Sequence, residues 1–274
     1  MPPGHAPEAP GPGGRRISGP LLLAVLAVAA VVVLLLVLTG NSSSHHGSGP
    51  PLDRHPAPSD DRRTTAGTYD FHAADTALVA LDGVSGNVQV TADPHARGVT
   101  GSFHRSDGDA VSLHGTAVHD TVTGHDALAV TCDDENGTQV PCAGDLALTV
   151  PVHTGLRLRQ TSGQTVLAGL GGDITVDASS VQLTASDLRP GEAHFTLVSG
   201  SADLSFGAPP DDFDLHETSA SVTAHLPGSP DGYAVTTAAS SASTQVTVPR
   251  NPASGHRVSL AVTSGSLNVS ADAR

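Results

Sequence analysis

The chain lacks several residue types, and each absence restricts its chemistry. Its 274 residues include no lysine and no tryptophan, so that all 13 basic residues are arginine. Without lysine there is no Schiff-base nucleophile and no lysine general base. Aromatic residues make up 3% of the chain and therefore offer few stacking platforms for sugar rings or bases.

Positive charge is scarce as well. The formal net charge is −14, and setting aside Glu8, Arg15 and Arg16, which precede a long apolar run, leaves 26 acids and 11 arginines, or −15. An acidic chain of this kind is a poor ligand for a phosphate backbone, so we expect no nucleic-acid partner.

Long apolar runs are also absent, with one exception. Leu21–Leu38 is 18 consecutive apolar residues, which as a helix would span about 27 Å and so cross the hydrocarbon core of a bilayer. Arg15 and Arg16 precede the run, and no charged residue follows it before Asp53. The positive-inside rule then places the N-terminus in the cytoplasm and the C-terminal domain outside the cell membrane. The poor cleavage site after Leu38 favours an uncleaved signal anchor, with cleavage as the alternative.

These features divide the chain into four parts. Residues 1–19 are a Pro/Gly-rich cytoplasmic tail, 20–39 a transmembrane helix and 40–67 a flexible linker of Ser, Gly, Pro, His and Asp. Residues 68–274 form the extracytoplasmic domain.

The chain has only two cysteines, Cys132 and Cys142. In an oxidising compartment this close pair predicts a disulfide, and two free thiols are the alternative. Asn136-Gly137 lies between them and is a strong hairpin turn signal. A register that pairs the two cysteines directly would centre on Gly137 and require an odd loop with a bulge.

From Thr68 onward, apolar residues alternate with polar ones, and no window has a helical period. Alternation of this kind predicts half-buried strands, so the domain is expected to be all-β. The alternating sets are Val88/Val90, Leu156/Leu158, Ile174/Val176, Val181/Leu183, Phe195/Leu197, Leu204/Phe206, Phe213/Leu215, Val222/Ala224/Leu226, Val246/Val248, Val258/Leu260/Val262 and Leu267/Val269.

A repeat of about 20 residues runs through the C-terminal half. Pairs of small residues recur between strands at Ser162-Gly163, Ser179-Ser180, Ser199-Gly200, Ser219-Ala220, Ser240-Ser241 and Ser264-Gly265, with an earlier copy at Ser85-Gly86. Two short strands per unit at this period predict a β-solenoid, whose stacked units share one core. A β-sandwich of hairpins is the competing architecture. The less regular stretch Thr68–Val150 is expected to form an N-terminal β cap or an antiparallel extension.

These residues resemble the DUF4097 putative-adhesin family. Pro151, Ser162-Gly163, Gly171-Gly172-Asp173 and Ser199-Gly200 match that family's pattern of a strand ending in proline followed by repeated Thr-Ser-Ser-Gly units, over about residues 78–274. Ser219-Ala220 and Ser240-Ser241 depart from the pattern by losing the glycine. The resemblance implies a β-helix-like solenoid, often on a membrane anchor in bacteria, with some relatives associated with envelope-stress signalling. It supplies no catalytic residues.

Residues that could carry chemistry are scattered. His104, His114, His119 and His125 lie in one region without the spacing of a metal site. Asp173 and Asp177 flank the buried positions Ile174 and Val176 and are expected to face solvent, and the acidic turns lack calcium-loop spacing. No P-loop, G-x-S-x-G or G-x-G-x-x-G motif is present. We therefore expect no catalytic residue, no cofactor and no metal.

The sequence thus predicts a membrane-tethered, non-enzymatic interaction module of the cell envelope, either adhesin-like or an accessory to envelope signalling. Its partner would be an envelope protein or a surface ligand. The alternative is a β-helix carbohydrate-active enzyme that uses the surface carboxylates of Asp173 and Asp177.

Overall fold

The computed structural model describes residues 68–74, 76–105, 112–119, 126–134 and 136–271. The predicted tail, membrane helix and linker lie outside these ranges. Within them, no helix is both long enough and apolar enough to cross a membrane.

Every regular element in the described ranges is a strand, which confirms the all-β prediction. The thirteen strands belong to one sheet. They are β1 (Thr68–Ala74), β2 (Leu78–Asp93), β3 (Gly98–His104), β4 (Ser112–His119), β5 (Asp126–Asp133), β6 (Gln139–Val140), β7 (Cys142–Pro151), β8 (Gly155–Ala168), β9 (Ile174–Leu188), β10 (Glu192–Phe206), β11 (Asp212–Leu226), β12 (Ala234–Thr247) and β13 (Arg257–Ala271). These strands therefore do not form a sandwich of two antiparallel sheets.

The C-terminal strands pair in parallel, in the order β2-β8-β9-β10-β11-β13-β12. The last two exchange places, because β13 lies between β11 and β12. The connections are short: β9 ends at Leu188 and β10 begins at Glu192. A parallel crossover usually needs a dozen or more residues.

The long strands from β8 to β11, and β13, change their burial phase near the middle. In β9, Ile174, Val176 and Ala178 are buried, two exposed residues follow, and burial resumes at Val181 and Leu183. The other long strands from β8 to β11 and β13 show a similar break. We call the residues before the break the first half of a strand and those after it the second half.

A row of serines marks this break across the sheet. The aligned residues are Ser85, Ser162, Ser180, Ser199, Ser219, Ser264 and Ser241. The predicted pairs Ser179-Ser180 and Ser240-Ser241 are therefore displaced by one residue, because the aligned pairs are Ser180-Val181 and Ser241-Ala242. A doublet of serines does not reveal which member is in register, whereas hydrogen bonding to the neighbouring strand does.

The second position of these pairs alternates between glycine and larger residues from β8 onward. Gly163, Gly200 and Gly265 have φ values of +114°, +113° and +118°. Val181 and Ala220, on the strands between them, have negative φ. A Cβ on Gly200 would overlap the carbonyl oxygen of Val181. The units without glycine thus take an ordinary backbone conformation at this position and keep the repeat intact.

The N-terminal strands other than β2 pair antiparallel with one another, as expected for a less regular extension, while β5 and β7 also pair in parallel with β2. β1 pairs with β3, β3 with β7, and β5 with both β4 and β6. The Asn136-Gly137 turn joins β5 to β6, and Gly137 has φ +73°. The predicted disulfide is present, with 5.2 Å between the Cα atoms of Cys132 and Cys142. The two cysteines do not pair directly across the hairpin: Cys132 pairs with Val140, while Cys142 begins β7 and pairs with Val84.

The core is one continuous cluster along the sheet. All the alternating residues predicted from the sequence are buried except Val246, which is half-buried on the outermost strand β12. Phe213 lies at the centre of an aromatic contact, with its ring centroid 6.2 Å from that of Phe195 and 5.1 Å from that of Phe206.

Candidate functional site

The outward side of the second halves forms a surface with almost no charge, which we call the second-half face. It consists of two complete rows across seven strands. The rows are Asn87, Gln164, Gln182, Ser201, Ser221, Ser266 and Ser243, then Gln89, Val166, Thr184, Asp203, Thr223, Asn268 and Gln245. Asp203 is the single charged residue of this face, although the chain carries 27 acids.

The second-half face is a regular lattice of amides and hydroxyls. Neighbouring strands lie about 4.8 Å apart, and alternate residues along a strand are roughly 6.6–7 Å apart. Side chains hydrogen-bond along the rows: Gln164 Nε2 donates to Gln182 Oε1 at 3.4 Å, and the Ser266 hydroxyl donates to Ser221 Oγ at 3.1 Å. These contacts hold donors and acceptors in a periodic array, since amides and hydroxyls can do both.

The serine row borders this face and continues the same periodicity. Ser180 Oγ lies 3.1 Å from Ser199 Oγ, and Ser219 Oγ lies 3.0 Å from Ser264 Oγ. The Ser199 hydroxyl also donates to the Ser179 carbonyl at 2.8 Å. Their exposed hydroxyls therefore extend the polar lattice up to the break.

The outward side of the first halves, the first-half face, is charged. It carries Asp82, Arg157, Arg159, Asp177, Glu192, His194, Asp212, Asp214, His216 and Arg257. Arg159 Nε lies 3.8 Å from an Asp82 oxygen and 3.6 Å from an Asp177 oxygen, and the Arg257 guanidinium lies 2.7 Å from Asp212. Hydrogen bonding and attraction to Asp212 raise the pKa of Arg257. Exposed pairs of this kind contribute little to the stability of the fold, because solvent screens their attraction.

The structure gives separate partners to the two carboxylates named in the enzyme alternative. Asp173 lies in the turn before β9, and its Oδ1 accepts a hydrogen bond from the Glu192 backbone N–H at 3.0 Å. Asp177 pairs with Arg159. Asp173 thus supports a turn, and Asp177 takes part in a surface ion pair.

The histidines are dispersed. His114 lies 3.7 Å from Asp133 and His119 lies 3.2 Å from Asp126, while His104 is on β3 and His125 lies outside the described residues. In the part of the chain that the structure describes, no group of three or more His, Cys, Asp or Glu side chains could hold a metal ion.

Asp134 holds the turn of the β5–β6 hairpin through its side chain. Its Oδ1 accepts hydrogen bonds from the backbone N–H groups of Thr138 at 2.8 Å and Asn136 at 2.9 Å. These bonds, that from Thr138 first, lower the pKa of Asp134. The acidic side chain therefore stabilises a turn, as the sequence indicated.

One buried carboxylate was not among the residues that the sequence pattern singled out. Glu217 on β11 is 3% exposed and faces the core beside Phe213 and Leu215. Burial raises its pKa to about 7, an effect that the backbone N–H groups of Ala220 and Ser266 partly offset. An acid at an inward position of the alternating pattern was the signal that could have revealed it.

Comparisons with known proteins assign no family. No protein-family model matches the chain, and neither does any curated protein sequence. One similar solved structure is a "putative cell adhesion protein" from Clostridium sporogenes, 9% identical, which covers 75% of this chain and 99% of its own with a TM-score of 0.48. Another is a "putative adhesin" from Bacteroides fragilis, 12% identical, which covers 74% and 95% with a TM-score of 0.32. Likenesses this weak carry no functional argument.

Proposed function

We propose that this chain is a single-pass membrane protein whose extracytoplasmic domain is a non-enzymatic β-solenoid interaction module, adhesin-like or accessory to envelope signalling. Its contact surface would be the second-half face, and its partner an uncharged surface rich in hydroxyl or amide groups. The observation that carries the proposal is the near absence of charge on this face of a strongly acidic chain.

The solenoid part of the proposal rests on connection lengths. A straight strand of 15 residues such as β9 would be roughly 50 Å long at about 3.3 Å per residue. Three residues separate it from β10, which starts beside the beginning of β9. That connection spans at most about 15 Å, because consecutive Cα atoms are about 3.8 Å apart. Each strand must therefore turn back on itself, and the break in burial at the serine row is where it can do so.

The connections also stack on one another. The backbone N–H of Arg189 donates to Leu170 O at 2.8 Å, and that of Gly207 donates to Leu188 O at 2.7 Å. Backbone hydrogen bonding therefore continues from the strands into the turns. Closed, stacked units with one shared core are the architecture of a solenoid.

The lack of charge selects the kind of partner. An acidic surface repels anionic partners, and a face with one carboxylate among 14 residues has little to offer a cationic one. Its rigid strands instead present hydrogen-bonding groups at fixed spacing, at low entropic cost on binding. The face has no aromatic residue, so recognition would depend on hydrogen bonds and shape, without ring stacking.

The membrane tether is proposed from the sequence alone. The apolar run Leu21–Leu38 and the preceding Arg15 and Arg16 favour a signal anchor with the domain outside. A disulfide between Cys132 and Cys142 suits an oxidising compartment.

Site-specific photo-crosslinking in cells tests the proposed contact surface. A benzophenone amino acid is placed in the full-length chain at Thr184 on the second-half face, or at Thr196 on the first-half face as a matched control. Both threonines are exposed and lie on neighbouring strands. We expect a defined captured component from Thr184 and not from Thr196. Equal capture from both positions, or capture from Thr196 alone, would refute the proposed surface.

A separate assay tests the non-enzymatic part. The wild-type chain and the double variant Asp173→Asn/Asp177→Asn are incubated with neutral and acidic polysaccharides, and reducing ends are measured. We expect no turnover by either protein. Turnover by the wild type that the double variant loses would establish the carbohydrate-active enzyme instead.

A further inference from the structure

The outermost strand β12 is an unprotected edge of the sheet. Among the described strands it pairs with β13 alone, in one register from Ala234 to Thr247. Its other side therefore presents a row of backbone N–H and C=O groups. Proteins usually protect such edges with charge, proline or a bulge. β12 contains no charged residue and no proline over 14 residues.

The end of the core is also open at β12. The positions equivalent to buried Leu260, Val262 and Leu267 of β13 are Thr237, Ala239 and Thr244, and all three are exposed. Thr237 and Thr244 are aligned with the buried residues of β13, but no further strand among the described residues covers them. An additional strand on β12 would hydrogen-bond to its unpaired backbone N–H and C=O groups. The same strand would also cover this end of the core.

The sequence of β12 is self-complementary about the Ser240–Ser241 peptide bond. In an antiparallel pair of two β12 strands centred there, every inward residue meets a residue of its own type in the second copy. Val235 meets Val246, Thr237 meets Thr244, and Ala239 meets Ala242. An isologous two-fold interface requires matching of this kind.

The open part of the edge is limited to β12 itself. Just before the strand, the Tyr233 backbone N–H donates to Pro249 O at 2.8 Å, and the Asn251 N–H donates to Tyr233 O at 2.9 Å. The unpaired stretch therefore runs from Ala234 to Thr247. These two end residues face each other in the antiparallel arrangement centred on Ser240–Ser241, so the open stretch has the same centre as the self-complementary pattern.

We propose that β12 is a homodimerisation edge, at which two copies of this chain pair antiparallel about Ser240–Ser241 and join their cores end to end. The pairing uses the end of the sheet and leaves the second-half face of each copy accessible. It is independent of the function proposed above.

Disulfide trapping in the native membrane tests the register. Two differently tagged full-length copies are coexpressed, one with Ala238→Cys and one with Ser243→Cys, and oxidised. The described cysteines are already bonded to each other, so the introduced thiols report the contact. Ala238 faces Ser243 of the second copy in the proposed register, whereas two Ala238→Cys copies have their thiols five residues out of register. We expect at least tenfold more cross-linked dimer from the mixed pair than from either variant paired with itself.

A second variant separates specific pairing from random collision. The double change Thr237→Glu/Thr244→Glu is added to both cysteine copies. In the proposed register it places carboxylates of the two copies opposite each other. Both threonines are exposed in a single copy, so the double change should leave folding unaffected. We expect the cross-link to fall at least tenfold while the thermal unfolding temperature stays within a few degrees of the wild type. Equal cross-linking in all cysteine combinations, no cross-linking in any, a ladder of higher oligomers, or persistence in the glutamate variant would each overturn the proposal.

Discussion

The hydroxyl of Thr165 donates a hydrogen bond to Oε1 of Gln160 inside the core. Gln160 Nε2 donates in turn to the Gly86 carbonyl at 2.9 Å. Three strands further along the sheet, Glu217 occupies the position of Gln160, and Val222 occupies that of Thr165. Valine has no hydroxyl to donate, so one oxygen of Glu217 accepts from the Ala220 N–H at 3.2 Å and the other has no partner.

The buried carboxyl of Glu217 should make the domain less stable as pH rises. Its folded pKa of about 7 lies above the ordinary value of 4.5, so the folded state binds the proton more tightly than the unfolded state does. Stability is therefore highest below about pH 4.5 and is lost progressively up to about pH 7, by roughly 3 kcal/mol at 1.36 kcal/mol per pKa unit. Urea unfolding at pH 5 and pH 7.5 measures the difference.

Two variants at this site serve as controls. Glu217→Gln removes the titrating group and should flatten the pH dependence between pH 5 and 7.5. Val222→Thr restores the donor present beside Gln160 and should lower the pKa of Glu217. A pH profile that Glu217→Gln leaves unchanged would show that other groups produce it.

Gly200→Ala should destabilise the domain by about 1–3 kcal/mol, because the residue has φ +113° and a Cβ there would overlap the Val181 carbonyl oxygen. Gly255→Ala is the matched control, since Gly255 has no positive φ and no heavy atom within 4 Å of its Cβ position. Thermal unfolding of both variants measures the effect. Equal stability of the two would contradict the close approach of β9 and β10 at the serine row.

Loss of the disulfide should cost about 3 kcal/mol. Cys132 and Cys142 are ten positions apart, and closing a loop of this size removes roughly that much unfolded-chain entropy. Cys132→Ser/Cys142→Ser should lower the urea midpoint, and a reductant should lower that of the wild type but leave the double variant unaffected. If the reductant has no effect on the wild-type midpoint, the bond does not stabilise the domain.

Phe213→Ala should destabilise the domain by about 3–5 kcal/mol, since it leaves a cavity between Phe195 and Phe206. Val198→Ala, at a side chain that is 43% exposed, should change stability by about 0.5 kcal/mol or less. Chemical unfolding compares the two, and similar losses would argue against a shared aromatic contact as the centre of this part of the core.

Much of the fold was predictable from local pattern. Alternation identified the strands and their inward residues, because side chains on a strand point to opposite faces in turn. The recurrence of small residues located the break between strand halves, and the Asn-Gly step located the hairpin. Both features depend only on residues that are neighbours in the sequence, so they can be recognised without the tertiary structure.

The candidate site was less predictable. The polar residues of the second-half face are ordinary outward residues when each strand is considered by itself. Their continuity appears only when Gln164, Thr184 and Asn268 are placed on aligned strands. The exposed edge was equally hidden, since nothing local in the sequence indicates that β13 lies between β11 and β12.

The sequence alone determined the class of the domain, its strand positions, the acidic charge and the apolar run that predicts a membrane anchor. Each of these follows from residue chemistry and periodicity over short distances. The tertiary structure decided which serine of each doublet is in register, which strand is the edge, and that Glu217 is buried beside Val222. Those outcomes depend on the hydrogen-bond partners and burial that distant strands supply, and a single strand contains no information about either.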